Sequence, residues 1–309
     1  MNVDAFLQAL QADPAYAGQI VYARREPARA AEYAAADSLP PPAHGLLQRL
    51  GIPDLYTHQA QAVTALLSGR DVILATGAAS GKSLCYFLPI LLRLAADPAA
   101  TALLLYPAKA LCQDQFRMFT ALAERAGLRD RLAGVLDGDT PAPLRRRLRE
   151  CGAVVFTNPD MLHAAVLPQH GRWARFLGGL HLLTVDELHA CSGLFGANMA
   201  LLLRRLLRVC RHHGSSPVLA LASATMANPR ELARRLVGRN DFELVDRDAS
   251  PRGPRAIVFW NPPRIRTGAW QSRRSANVEA HELMARLILA GAPVITFSKA
   301  RLTAEMIYR

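Results

Sequence analysis

The sequence lacks the features of a secreted, membrane-spanning or cysteine-knuckle protein. It has five cysteines, and no two of them form a C-x-x-C metal-binding pair. We interpret them as reduced core residues, as free thiols often are. The N-terminus MNVDAFLQAL has an acid where a signal peptide would be positive, and no uncharged apolar run approaches about 20 residues. These absences predict a cytoplasmic protein with no membrane contact.

Acidic residues are few relative to basic ones. Lysine plus arginine total 37 against 25 for aspartate plus glutamate, which gives a net charge of +12. This surplus favours a polyanionic partner such as nucleic acid. The alternative is a generally arginine-rich composition, in which basic runs such as 144–150 are solvated helix faces. Because 51% of the residues are hydrophobic, the chain can form a sizeable core, and wholesale disorder is not expected.

Short apolar runs alternate with helical patterns through most of the chain. The runs expected to be strands are 71–76, 101–107, 132–138, 153–158, 180–187 and 217–225. Each is almost continuously apolar, which is typical of a strand buried on both faces. Strand–helix alternation predicts an α/β fold with a parallel sheet covered by helices.

Composition divides the chain into four parts. We predict an N-terminal extension at 1–50, an α/β lobe at 51–245 and a linker at 246–255, where Pro, Gly and Arg are frequent. Residues 256–309 then read as a strand, a helix at 278–291 and a strand at 293–298. This order predicts the beginning of a second α/β lobe that is truncated.

The stretch LATGAASGKSLCYFLPI, residues 74–90, follows a predicted strand and opens a helix. That context suits a phosphate-binding loop, in which backbone N–H groups surround phosphate oxygens. Gly77 and Gly81 would permit the turn, Lys82 would reach the phosphates, and Ser83 would hold magnesium. The usual pattern has glycine where this chain has Thr76. A helix start without a ligand is therefore the alternative.

An acidic pair ends the predicted strand at 180–187. Asp186 would complete the magnesium site, and Glu187 would orient or activate water for hydrolysis. The alternative is a helix cap. The phosphate loop upstream and the tripeptide SAT downstream favour the catalytic interpretation.

The ordered stretches ATGAASGKS, YPAKAL, TNPDML, VDELH and SAT resemble the motif series of superfamily 2 DEAD/DEAH-box helicases. In that superfamily the position six before the lysine is commonly not glycine. Further stretches, including LYTHQAQA, CQDQ and FWNPP, are similar to a bacterial and fungal subgroup of RecQ-like DNA repair helicases with a C-terminal cysteine-cluster domain. The resemblance implies a RecA-like P-loop NTPase lobe and the start of a second RecA-like lobe.

The resemblance also implies roles for individual residues, position by position. Gln59 would read adenine, and the remaining nucleotide contacts would come from Thr76, Gly77, Ser80, Gly81, Lys82 and Ser83. Catalysis would involve Lys82, Asp186, Glu187 and His189, with magnesium held by Ser83 and Asp186. Nucleic acid would contact Pro107, Lys109, Thr157 and Asn158. Ser223 and Thr225 would couple the two sites.

The implied function is ATP- and Mg²⁺-dependent translocation on DNA with strand unwinding, in DNA repair. The expected partners are single-stranded and duplex DNA, with RNA open as an alternative. Two other functions stay open: a translocase or remodeller that does not unwind, and a nucleotide- and nucleic-acid-binding module without turnover. These 309 residues do not include the arginine-bearing late motif of such helicases, so we expect little turnover from them alone.

Overall fold

The computed structural model describes residues 2–35, 38–224, 226–267 and 270–308. Two compact units form the chain: Ala30–Pro251, and Met1–Arg29 together with Arg252–Arg309. In the described residues we find no helix with both the length and the apolar character needed to cross a lipid bilayer.

The regular elements are numbered in chain order. The strands are β1 (Ile20–Glu26), β2 (Asp71–Ala75), β3 (Thr101–Leu105), β4 (Ala133–Leu136), β5 (Val154–Thr157), β6 (Leu180–Val185), β7 (Val218–Ser223), β8 (Phe242–Val245), β9 (Arg255–Trp260), β10 (Arg264–Thr267) and β11 (Trp270–Arg273). The helices are α1 (Val3–Gln11), α2 (Pro41–Leu50), α3 (Thr57–Leu67), α4 (Lys82–Ala96), α5 (Lys109–Arg125), α6 (Ala142–Cys151), α7 (Pro159–Met161), α8 (Ala174–Gly178), α9 (Gly193–His212), α10 (Pro229–Val237), α11 (Ala276–Leu289) and α12 (Arg301–Tyr308). A π-helical turn at Leu162–Val166 and 3-10 turns at Leu167–Trp173 and Leu188–Ala190 also occur.

A seven-stranded sheet forms the centre of the larger unit. Its strand order is β4-β5-β3-β6-β7-β2-β8, and every neighbouring pair is parallel. The six strands predicted for this lobe are all present, so the predicted α/β fold is confirmed. The sequence patterns missed β8, a four-residue edge strand beside β2.

The apolar strands build two cores because successive side chains of a strand point to opposite faces. In β3, Ala102 and Leu104 join the core on one face of the sheet. Leu103 and Leu105 join the core on the other. All four are at most 1% exposed. Truncation of one of these leucines to alanine should cost roughly 2–5 kcal/mol of folding free energy.

The larger unit begins earlier and ends later than the predicted lobe. Helix α2, assigned above to an extension, buries Leu46 and Leu50 in the core that also contains strand residues. At the other end, Ala249 is fully buried and its carbonyl accepts a 2.9 Å hydrogen bond from the Glu32 amide. The first part of the predicted linker therefore packs onto the lobe.

The smaller unit contains two antiparallel pairs, β1 with β9 and β10 with β11. The predicted strand at 256–263 corresponds to β9, and the predicted helix at 278–291 corresponds to α11. No strand forms at 293–298, contrary to expectation. Ile295 and Phe297 there are 80% and 89% exposed. A strand requires a hydrogen-bonded neighbour, and this stretch pairs with no strand of the described chain.

Candidate nucleotide-binding site

The phosphate loop, residues 76–83, connects β2 to α4 at the carboxyl edge of the sheet. Two of its residues have left-handed backbone conformations, Ala79 with φ 59° and Gly81 with φ 77°. Such residues beside a helix N-terminus turn successive N–H groups toward one point, which is how backbone binds phosphate. For the non-glycine Ala79 this conformation costs about 1–2 kcal/mol.

The loop does not need glycine at position 76. Thr76 is not one of the described residues that have a positive φ, so its backbone does not need the conformational freedom of glycine. Its hydroxyl lies 2.7 Å from the Ser80 hydroxyl, and both side chains are buried. This hydrogen bond closes the base of the loop. A threonine therefore does here what a glycine cannot, since glycine has no side chain to span the turn.

Both glycines have close side-chain neighbours, and Gly81 also has the positive φ that favours glycine. A Cβ atom at Gly81 would lie 2.5 Å from Nε2 of Gln59, and one at Gly77 would lie 2.9 Å from Oδ2 of Asp248. Asp248, whose Oδ1 accepts hydrogen bonds from the amide and hydroxyl of Ser250, was not predicted from the sequence as part of this site.

The Lys82 ammonium group lies over the loop. Its Nζ donates to the carbonyls of Gly77 at 2.7 Å and Thr76 at 3.1 Å. The positive charge is thus held against the backbone of the loop. A phosphate would have to compete with these two neutral acceptors, and its charge favours it.

Gln59 is 4% exposed and uses both ends of its amide. Its Oε1 accepts from the Tyr56 amide at 3.0 Å, and its Nε2 donates to the Gly81 carbonyl at 3.1 Å. The residue thus ties the start of α3 to the phosphate loop. Its predicted contact with adenine stays a prediction.

His58, which sequence reasoning missed, also holds the loop. Its Nδ1 accepts from the Ala249 amide at 3.2 Å, so Nε2 carries the proton and donates to the Ser80 carbonyl at 3.0 Å. The ring is 1% exposed and stacks on Tyr56 with centroids 5.8 Å apart. Its position beside Gln59 in the motif LYTHQAQA was the one available signal.

Asp186 follows β6 directly, and its amide bonds to the Leu105 carbonyl of β3 at 3.0 Å. Its Oδ2 accepts a 2.9 Å hydrogen bond from the Tyr86 hydroxyl, which also lies 3.4 Å from Ser83 Oγ. One phenol therefore joins the two residues predicted to hold magnesium. Burial raises the pKa of Tyr86 well above its usual value, as do Tyr106 and the Asp186 charge. The phenol consequently remains a donor.

Ser83 has a further neighbour in Gln115 of α5. The serine hydroxyl donates to Gln115 Oε1 at 2.6 Å. A hydroxyl, a carboxylate and an amide oxygen are hard oxygen donors of the kind that Mg²⁺ prefers. The donor groups present therefore fit a magnesium ion, which Ser83 and Asp186 would hold.

Glu187 has φ 54° in the described chain, an unusual conformation for a non-glycine residue. Such strain is commonly found at functional sites. Its Oε2 lies 3.2 Å from His189 Nδ1, which in turn lies 3.4 Å from Ser223 Oγ at the end of β7. Glu187, His189 and Ser223 therefore form a connected polar series. Thr225, the other predicted coupling residue, lies outside the described residues.

The four residues predicted to contact nucleic acid lie at the same carboxyl edge, but in different environments. Pro107 and Lys109 are exposed, and Lys109 pairs with Asp139 at 3.0 Å. The hydrogen bond that Lys109 donates to the Asp139 carboxylate, together with the negative charge of Asp139, raises the pKa of Lys109. Thr157 is fully buried and donates to the Leu136 carbonyl, whereas Asn158 accepts from the Met161 amide and caps α7. The hydroxyl of Thr157 thus already has a structural partner.

Comparison with known proteins agrees with this geometry. The sequence pattern of the DEAD/DEAH box helicase family matches residues 56–232. An uncharacterized ATP-dependent helicase, YprA of Bacillus subtilis, is 41% identical over 261 residues, 84% of this chain and 34% of that protein. The ATP-dependent helicase HRQ1 of Saccharomyces cerevisiae is 35% identical over 312 residues, 100% of this chain and 29% of that protein.

A solved structure of similar fold is that of the DUF1998 helicase MrfA bound to DNA and AMPPNP. It superposes with a TM-score of 0.88 at 36% identity, and covers 98% of this chain and 42% of that one. The chain spans about a third of the length of YprA and of HRQ1, the two curated relatives described above. Because the family pattern covers more than half of the sequence, from the start of α3 into α10, the chain belongs to the DEAD/DEAH box helicase family.

Proposed function

We propose that this chain provides the ATP-binding lobe of a DNA helicase that uses ATP hydrolysis to move along and unwind DNA, with DNA repair as its setting. The observation that carries the proposal is the connection from Ser83 through Tyr86 to Asp186. It joins the phosphate loop to the acidic motif, although 100 residues separate Tyr86 from Asp186 in sequence. A helix cap would not need this connection.

The residues have distinct roles in this proposal. Loop amides and Lys82 bind the β- and γ-phosphates, and Ser83 with Asp186 holds Mg²⁺, which neutralises phosphate charge. Glu187 orients the attacking water and accepts its proton. His189 lies between Glu187 and Ser223. It can transmit the state of the hydrolytic residue to the strand end that leads toward the coupling motif.

DNA is the proposed substrate for two reasons. The MrfA structure, 36% identical to this chain, contains DNA together with AMPPNP. The net charge of +12 also supplies the electrostatic attraction that nucleic-acid backbones require. The exposed pair Pro107 and Lys109 gives this attraction a local contact next to the nucleotide site.

The sequence has three lysines, Lys82, Lys109 and Lys299, and they provide a matched test. Thermal unfolding of the parent and the three single lysine-to-alanine variants should be followed with and without Mg·ATP. At about 100 times the dissociation constant, ligand stabilises the folded state by roughly 2.7 kcal/mol. Lys82→Ala should lose this stabilisation, whereas Lys109→Ala and Lys299→Ala should keep it. Equal stabilisation of all four proteins would contradict the nucleotide site.

Turnover and movement need separate assays. DNA-stimulated ATP hydrolysis that Glu187→Gln abolishes would distinguish an enzyme from a binding module. Displacement of a labelled strand would distinguish a helicase from a translocase. Hydrolysis without displacement would overturn the unwinding part of the proposal and leave the nucleotide site intact.

A further inference from the structure

Three histidines converge on the larger unit outside the nucleotide site. His170 lies in the 3-10 turn Leu167–Trp173, and His212 and His213 end α9. Nδ1 of His170 lies 3.1 Å from Nε2 of His213, and one ring nitrogen from each of the three residues lies within 4.8 Å of the others. His170 and His213 are half-buried, and His212 is exposed.

The end of α9 is held firmly in place. The His213 amide bonds to the Val209 and Cys210 carbonyls, and Ser215 Oγ donates to the Leu177 carbonyl at 2.5 Å. Gly178 packs so closely that a Cβ there would lie 2.9 Å from the His213 carbonyl oxygen. The imidazoles are therefore presented from a packed framework, which lowers the entropic cost of assembling a site.

The distance between His170 and His213 suits a transition metal, and His212, whose ligand nitrogen lies within 4.8 Å of the other two, would have to move closer to complete the site. A zinc ion binds imidazole nitrogen at about 2.0–2.1 Å, so two ligands on a tetrahedral ion are roughly 3.3–3.4 Å apart. The 3.1 Å between His170 and His213 is close to this value. A simple hydrogen bond between those two rings is the competing explanation, but it does not account for the third ring.

We propose that His170, His212 and His213 bind a divalent transition-metal ion, with Zn²⁺ as the expected species and water in the remaining position. Three imidazoles suit Zn²⁺, Ni²⁺ and Cu²⁺. The ion fastens the end of α9 to the 3-10 turn. Because α9 starts after the carboxyl end of β6 and returns toward the amino end of β7, the site lies at the edge of the sheet opposite the nucleotide.

The test uses the full 309-residue chain without an affinity tag, in a Cys151→Ser background because that thiol is exposed. After treatment with a chelator, Zn²⁺ binding is measured by calorimetry, Co²⁺ binding by visible absorption, and unfolding temperature with and without Zn²⁺. The variants are His170→Ala, His212→Ala and His213→Ala. His163→Ala, which removes an exposed imidazole of the same unit, is the control.

We expect one Zn²⁺ per chain in the parent and the control, with a higher unfolding temperature on binding. Each cluster variant should bind Zn²⁺ more weakly than the parent. Removal of a residue that only hydrogen-bonds to a metal-binding histidine typically lowers metal affinity by roughly 10–100-fold. Removal of the histidine itself should lower it by at least as much. Binding should also weaken as imidazole becomes protonated at lower pH.

If His170→Ala or His213→Ala unfolds without metal, His212→Ala becomes the test variant. His212 is exposed and is not part of the short His170–His213 contact, so its removal should leave the fold intact. Unchanged Zn²⁺ affinity in His212→Ala, or no stabilisation of the parent by Zn²⁺, would overturn the proposal.

Discussion

Tyr86 donates a 2.9 Å hydrogen bond to Oδ2 of Asp186. Both residues are buried, with Tyr86 fully enclosed and Asp186 8% exposed. The phenol thereby fixes the orientation of a carboxylate whose Oδ1 is already bonded to the Glu187 amide at 2.8 Å. Asp186 is held at both oxygens by groups that do not change charge near neutral pH.

Tyr86→Phe should therefore weaken the Mg²⁺-dependent part of nucleotide binding. Removal of the hydroxyl leaves a buried carboxylate oxygen without its donor, at a cost of about 1–3 kcal/mol in folding free energy. Nucleotide affinity at several Mg²⁺ concentrations and urea denaturation provide the two measurements. Tyr106→Phe is a matched control because it removes another buried phenol hydroxyl, 3.4 Å from that of Tyr86. An equal Mg²⁺ effect in both variants would contradict the role assigned to Tyr86.

Gln59→Ala should weaken ATP binding more than binding of inorganic triphosphate. The loss of the bonds to the Tyr56 amide and the Gly81 carbonyl loosens the loop and affects both ligands. Adenine recognition adds a loss for ATP alone. Competition against a fluorescent nucleotide measures both affinities. Equal losses would mean that Gln59 positions the loop and does not read the base.

Lys109 and Asp139 should have opposite effects on DNA binding. Lys109→Ala removes a phosphate contact, so the slope of log affinity against log salt for single strands should become shallower by about 0.7. Asp139→Asn removes the carboxylate that lies 3.0 Å from Lys109 Nζ and competes with DNA, so affinity should rise. Fluorescence anisotropy over a range of salt concentrations measures both changes. A weaker affinity in Asp139→Asn would contradict the competition.

His181 should make the protein sensitive to acid. Burial lowers the pKa of this half-buried imidazole to about 4; the nearby Thr101 backbone opposes this lowering, and the Arg93 charge adds a smaller lowering. The unfolded chain takes up the proton near pH 6.5, about the ordinary value, and the folded chain does not until about pH 4. The unfolded state therefore binds more protons in this window, and the free energy of unfolding falls as the pH falls through it.

In His181→Gln this loss of stability between about pH 6.5 and pH 4 should be smaller than in the parent. Urea denaturation at a series of pH values measures it. His163→Gln, which changes an exposed imidazole, should keep the parent's pH dependence. The same pH dependence in His181→Gln and the parent would show that the imidazole is not the responsible group.

The sequence was sufficient to predict the six apolar strands and the motifs that follow β2 and β6, because each motif is continuous and its strand is buried. It was insufficient for contacts between distant residues. Tyr86 and Asp186 are 100 positions apart, and His58 and Ala249 are 191 apart. The pairing of β1 with β9 depends in the same way on chain topology. The strand predicted at 293–298 does not form, because this stretch has apolar residues but no neighbouring strand, and residue pattern alone cannot supply one.

The His58 imidazole has a consequence for communication within the lobe. One nitrogen bonds to the Ser80 carbonyl in the phosphate loop, and the other bonds to the Ala249 amide in the segment that leads out of the lobe. The ring is rigid, so it works as a spacer of fixed length between loop and exit segment. A shift of Ser80 must either carry Ala249 along or break one of the two bonds. The position of the phosphate loop and the position of Ala249 are therefore tied to each other through a single aromatic ring.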